Sequence, residues 1–153
     1  MGYNIYIGPA VVDADTSDFP DLRACWRVEQ ISQPDAPTFI NDEVTHNTNC
    51  RYPTYGAWLD FCTAVGLYEL FFDKDTGLMS EHPGCKGITQ RDADEVSAAL
   101  SKYRETARLP PGFMGDDESN WSKYDPQLAR LIWLEYWMQW AVKNCDIPAI
   151  YNG

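Results

Sequence analysis

Two short pairs, His46-x3-Cys50 and His82-x2-Cys85, bring together the residue types that hold a transition metal. Imidazole nitrogen and thiolate sulfur are the usual ligands of tetrahedral zinc, so convergence of the two pairs would give a four-ligand site. No standard zinc module has these spacings, however, and the four residues read rather as isolated side chains in two loops whose mutual distance the sequence does not fix. Cys85 beside His82 also has the makings of a thiol nucleophile with its base, but no Asn or Asp can be assigned from the sequence to orient the imidazole. In Asp73-Lys74-Asp75-Thr76-Gly77 two carboxylates occupy the first and third positions of a calcium loop. Leu78 stands where that loop needs its glycine and Gly84 where it needs a bidentate Glu, so a plain turn is expected. Glu135 lies in the most apolar stretch of the chain, yet Gln139 and Lys143 follow at i+4 and i+8, which predicts a narrow solvated stripe rather than a buried acid.

The remaining candidates point to recognition. Asp116, Asp117 and Glu118 stand close to Trp121, an aromatic anchor with an acidic surround, the combination that suits a basic partner. Twenty-three acidic residues against 12 basic ones give a net charge of -11, which disfavours direct binding to nucleic acid or to anionic membrane. Further acidic clusters fall at Asp13 to Asp21 and Asp73 to Asp75. Gly-rich phosphate loops, G-x-S-x-G and H-E-x-x-H are absent from the sequence, so no enzyme class is indicated.

These residues need elements to position them, and 153 residues suit a single domain. Tyr3 to Ile7 reads as a central strand ended by Gly8-Pro9, and Trp26 to Ile31 as a second strand in period-two alternation. From Ser32 to Pro53 the chain reads as a long loop, with a short strand near Thr38 to Ile40 as the alternative. Thr54 is the natural N-cap of a helix carrying Trp58, Phe61 and Cys62, with Gly66 as its stop. Leu67 to Phe72 fits either a strand or a helical extension. Thr89 with Asp92 forms a loose capping box, Ile88 can staple against Ala93, and Val96, Leu100 and Tyr103 mark the apolar stripe of the helix that follows. Asp125 and Pro126 open the last helix, with a body from Gln127 to about Asn144. It is apolar nearly all round: Leu131, Leu134 and Met138 form one stripe and Trp133, Trp137 and Trp140 another. Either it is the central core helix, or its Trp133, Trp137 and Trp140 face meets a partner or a second copy as a homodimer.

The expected fold is therefore α+β: a small antiparallel or mixed sheet with about three packed helices. Trp58, Phe61, Leu100, Tyr103, Leu131, Leu134 and Met138 are its expected core. Met1 to Val12 has neither the basic region nor the apolar stretch of a signal peptide, and no apolar run is long enough to span a bilayer, so a cytoplasmic protein is expected. Its five cysteines, unevenly spaced and without CxxC, then read as reduced thiols.

Three segments, Met1 to Gly8, Glu81 to Cys85, and Leu131 to Trp137 followed by Asn144-Cys145, are similar to segments of small hypothetical proteins of tailed bacteriophages. The resemblance implies a viral origin and expression inside a bacterium, and it carries no activity or site residue with it. Small acidic phage proteins often act on host proteins. The expected function is accordingly non-catalytic binding of a host or phage protein, with occlusion of a basic surface as its mode and no cofactor. The alternatives are a small zinc protein or metalloenzyme using His46, Cys50, His82 and Cys85, and a virion structural or assembly protein.

Overall fold

The computed structural model describes residues 1–12, 25–39, 43–44, 46–108 and 125–153. Its first strand, β1 (Ile5–Val12), runs straight through Gly8-Pro9 instead of ending there. Pro9 lies opposite Pro148 in the neighbouring strand, and pairing continues beyond both, with the Ala10 N–H donating to the Ile147 carbonyl at 3.0 Å. Proline normally interrupts a central strand because it has no N–H to donate. Here the ladder bonds on either side of the pair do not require one.

The other strands are β2 (Cys25–Val28), β3 (Cys50–Arg51), β4 (Gly84–Gly87) and β5 (Pro148–Asn152). They form an antiparallel sheet of order β2-β1-β5-β4. Ile5 pairs with Asn152 of β5 and with Arg51 of β3, so β3 takes the edge of β1 that β2 occupies further along. Alternation then sends Ile5, Ile7 and Ile150 into the core and Tyr6 and Tyr151 to the opposite face. The segment from Ser32 to Pro53 contributes β3 and isolated bridges at Ser32–Thr48 and Val44–Arg51. The described part of Thr38 to Ile40 is not a strand.

Among the described residues four helices accompany the sheet. In α1 (Tyr55–Ala64) the Thr54 hydroxyl accepts from the Ala57 N–H at 3.2 Å, and Gly66 follows the helix with a positive φ of 76°. Leu67 to Phe72 resolves in favour of a helix, α2 (Tyr68–Phe72), in which Leu67 and Phe71 reach the core one turn apart. The capping box forms in full at the start of α3 (Gln90–Ala107): the Thr89 hydroxyl accepts from the Asp92 N–H, and the Asp92 carboxylate accepts from the Thr89 N–H at 2.8 Å. Ile88 and Ala93 are both buried, as a hydrophobic staple requires. Asp125 caps α4 (Pro126–Asn144) by accepting from the Gln127 and Leu128 N–H groups, each at 3.0 Å.

The result is the α+β domain expected, with α2 as a fourth, short helix. Trp58, Phe61, Leu131, Leu134 and Met138 are fully buried, whereas Leu100 and Tyr103 are half-buried against the same cluster. Tyr103 has a reason to stay near the surface: its hydroxyl donates to both carboxylate oxygens of Asp125, at 2.8 and 3.0 Å. Burial and that neighbouring carboxylate push its pKa up to about 12. No described helix is long and apolar enough to cross a membrane.

Candidate functional site

The His/Cys metal set is not assembled. Cys85 is disulfide-bonded, so its sulfur serves neither as a thiolate ligand nor as a nucleophile. Both ring nitrogens of His82 are engaged, by Asn152 and by Tyr55. Cys50 is buried in β3 with its sulfur 3.2 Å from the Thr48 hydroxyl, and His46 stands exposed at a turn with φ 56°. Among the described residues no group of three or more His, Cys, Asp or Glu is placed to hold a metal ion. The disulfide also corrects the expectation of five reduced thiols: Cys50, Cys62 and Cys145 are free, and Cys85 is not.

The tryptophan face of α4 belongs to the core. Trp133 and Trp137 are completely buried and Trp140 is half-buried against the same cluster. The Trp133 indole donates to the Thr48 carbonyl at 3.2 Å, and its ring carries the Arg51 guanidinium at 4.9 Å. The domain buries Trp133 and Trp137 in its own core, so these two indoles are not presented to a partner or a second copy. Asp116, Asp117, Glu118 and Trp121 lie outside the described residues, as do Asp13 to Asp21. Asp73 closes a turn on itself: its Oδ1 accepts from the Asp75 and Thr76 N–H groups at 2.9 Å and from the Thr76 hydroxyl at 3.0 Å. Gly77 completes that turn, since a Cβ there would meet the Asp73 carbonyl oxygen at 2.5 Å. The polar stripe of α4 is not solvated throughout. Glu135 accepts from Ser97 at 3.1 Å, and Gln139 donates to Ser97 and Asp94, so it forms a polar seam with α3.

An ionic cluster joins the loop before β3 to α4. Glu43 accepts from Arg51 at 2.9 Å, and its carboxylate is clamped by the Nε and Nη2 atoms of Arg130. Burial acts to raise the Glu43 pKa, but the Arg130 hydrogen bonds and the charges of Arg51 and Arg130 outweigh it and hold the carboxyl below its ordinary range. Arg51 is itself fully buried. This cluster sits inside the fold, where it binds loop to helix.

The outer face of the sheet is different. Tyr6 and Tyr151 are directly paired across β1 and β5, with ring centroids 6.1 Å apart. Tyr52 joins them through a 3.2 Å contact between its hydroxyl and that of Tyr6, and 43% of it remains exposed. Hydrogen bonding to Cys50 and Tyr6, with burial, raises the Tyr52 pKa. Beside this trio lies an open cleft of about 650 Å³, lined by Tyr6, Tyr151, Val11 and Val28 with Arg27, Glu29 and Gln30. Aromatic rings, a guanidinium and a polar rim are the components of a protein-recognition surface.

A second tyrosine group forms where the loop before β4 meets the start of α1. Asn152, fully buried in β5, donates its amide N–H groups to the Glu81 and Gly84 carbonyls at 3.0 and 3.5 Å. Its Oδ1 is thereby turned to His82 Nδ1, 2.6 Å away. The opposite ring nitrogen, Nε2, lies 3.1 Å from the Tyr55 hydroxyl. Tyr3 packs edge-on against both the Tyr55 and His82 rings, at centroid distances of 4.7 and 5.0 Å. Burial, followed by the neighbouring Tyr55 and Cys62, raises the Tyr3 pKa.

Of these two groups only His82 was among the residues expected to carry function, and then as a metal ligand or as the base of Cys85. Strand alternation over Ile5-Tyr6-Ile7 was available as a signal for Tyr6, but Tyr151 and Asn152 required the strand at 148–152, which Pro148 disguises. No family model, curated protein or solved structure matches this chain.

Proposed function

We propose that this is a phage-encoded protein that binds a host or phage protein through the outer face of its sheet, an interaction that is itself non-catalytic. The observation that carries the reading is the cross-strand pair Tyr6–Tyr151 with Tyr52, left partly exposed around an open cleft while the other sheet face is filled by the core. Tyrosine and arginine are enriched among the residues that dominate protein interfaces, because each combines a large contact area with a polar end. The net charge of -11 favours a basic partner, whose occlusion would be the biological effect. The disulfide at Cys85 weighs against a reducing cytoplasm as the place of action, so binding is tested with the oxidised protein.

The experiment is capture from host lysate on the immobilised wild type and on a Tyr6→Ser, Tyr151→Ser variant, with Tyr68→Ser on α2 as control. The reading predicts a partner held by the wild type and by the control, lost by the double variant, and captured less well as salt rises. Capture unaffected by the double variant overturns it.

A further inference from the structure

We propose that Tyr55 is an activated nucleophile, with His82 as its base and Asn152 as the positioning residue, and that it accepts an acyl group from an uncharged activated ester. This inference does not depend on the outer-face binding reading. Because the amide N–H groups of Asn152 are directed at two carbonyls, its oxygen must face His82 Nδ1, and that nitrogen must carry the ring proton. Nε2 is then left with its lone pair towards the Tyr55 hydroxyl, 3.1 Å away. A nucleophile within hydrogen-bond reach of a base, with the base oriented by a third group, is the general arrangement for covalent catalysis. Here the orienting group is fully buried while the reacting pair is open to solvent, with Tyr55 38% exposed. The rings of Tyr3 and Tyr55, both edge-on to the imidazole, hold its plane in place.

The step balances with these residues alone. Tyr55 Oη attacks the ester carbonyl carbon, and its proton passes to His82 Nε2. The bond between the carbonyl carbon and the leaving oxygen breaks, and the proton moves from Nε2 to that oxygen. The products are acyl-Tyr55 and a free alcohol or phenol. An uncharged donor is favoured because the net charge of -11 repels anionic ones such as phosphoryl compounds.

Tyr68 supplies an internal control, since at 45% exposure it is more accessible than Tyr55. The oxidised full chain is treated with p-nitrophenyl acetate, and acetylation at each tyrosine is followed by peptide mass spectrometry. General-base assistance predicts that Tyr55 reacts roughly 100-fold faster than Tyr68. In His82→Gln the ratio should fall to about one, and in Asn152→Ala it should drop while Tyr68 reacts as before. Nitrogen NMR of the wild type should show His82 as the Nδ1–H tautomer, which leaves Nε2 free to act as the base, while the preference for Tyr55 over Tyr68 is the readout that a merely structural histidine contact would not produce. Tyr55 reacting no faster than Tyr68, a ratio unchanged in His82→Gln, or an Nε2–H tautomer would each overturn the proposal. The wild-type ratio and tautomer decide it even where a variant fails to fold.

Discussion

Replacing Glu43 by Gln removes a carboxylate shared by Arg51 and Arg130 while keeping the size of the side chain. The Glu43 side chain is 20% exposed and that of Arg51 is 0% exposed, so the guanidinium charge loses a close counter-charge in a place where water cannot substitute for it. Breaking a buried pair from one side costs about 3 to 5 kcal/mol. With a urea dependence of about 2 kcal/mol per M, the unfolding midpoint should drop by about 1.5 to 2.5 M. The sign of the pH effect follows from the lowered pKa of Glu43. A carboxyl depressed in the folded state contributes its full stability above its unfolded pKa, about 4.3, and loses it as pH falls through the folded value. Urea titrations at pH 7 and pH 3 should therefore show a large gap between wild type and Glu43→Gln at pH 7 that narrows at pH 3. An equal gap at both pH values would show that Gln disturbs packing and that the charge has no part in the effect. No gap at pH 7 would refute the assignment of the cluster as a fastener between the loop and α4.

Trp58→Ala, at a fully buried position flanked by Phe61 and Phe71, should cost about 3 to 5 kcal/mol in denaturant unfolding. Thr89→Ala removes one half of the capping box and should cost about 1 kcal/mol, measured the same way. Asp125→Ala should cost about 1 to 2 kcal/mol from the cap alone, and it should bring the Tyr103 pKa down, as read by ultraviolet titration, because the carboxylate that helps raise it is gone. Among Cys50, Cys62 and Cys145, an alkylating reagent on the native protein should reach Cys145 first, since the other two are buried. Burial and Asp146 raise the Cys145 pKa, so its alkylation, followed by intact mass, should be slow at neutral pH and accelerate as pH rises.

The helices were legible because their signals are local. Thr54, Thr89 and Asp125 each mark a start through a side chain that satisfies N–H groups a few residues away, and the caps form as the sequence implies. The sheet was less so. Pro9 and Pro148 each argue against a strand when considered singly, and only their position opposite one another explains why the pairing survives. Gly84 to Gly87 holds two glycines in four residues and no period, and it becomes a strand because β5 is beside it. The same limit hid the sites. His82 was noticed for its neighbour Cys85, whereas its actual partners, Tyr55 and Asn152, lie 27 and 70 residues away in the chain. The tryptophans of α4 were ambiguous because an all-round apolar helix fits either a core or an interface, and what decides is the number of other elements packed around it.

Placing β5 between β1 and β4 bears on how the molecule is made. While the chain emerges from the ribosome, β4 has no strand to join until residues 148–152 follow it, long after its own residues have been synthesised. Pairings between such distant segments form slowly, because the intervening loop must close before any contact rewards it. The nascent protein can complete its locally encoded helices and the pairing of β1 with β2 and β3 early, while the β5 pairings and the Asn152 that orients His82 arrive together with residues 148–152. Recoding that slows translation before Pro148 should thus prolong a helical intermediate whose sheet lacks the β5 pairings, with Tyr6 still without Tyr151 beside it.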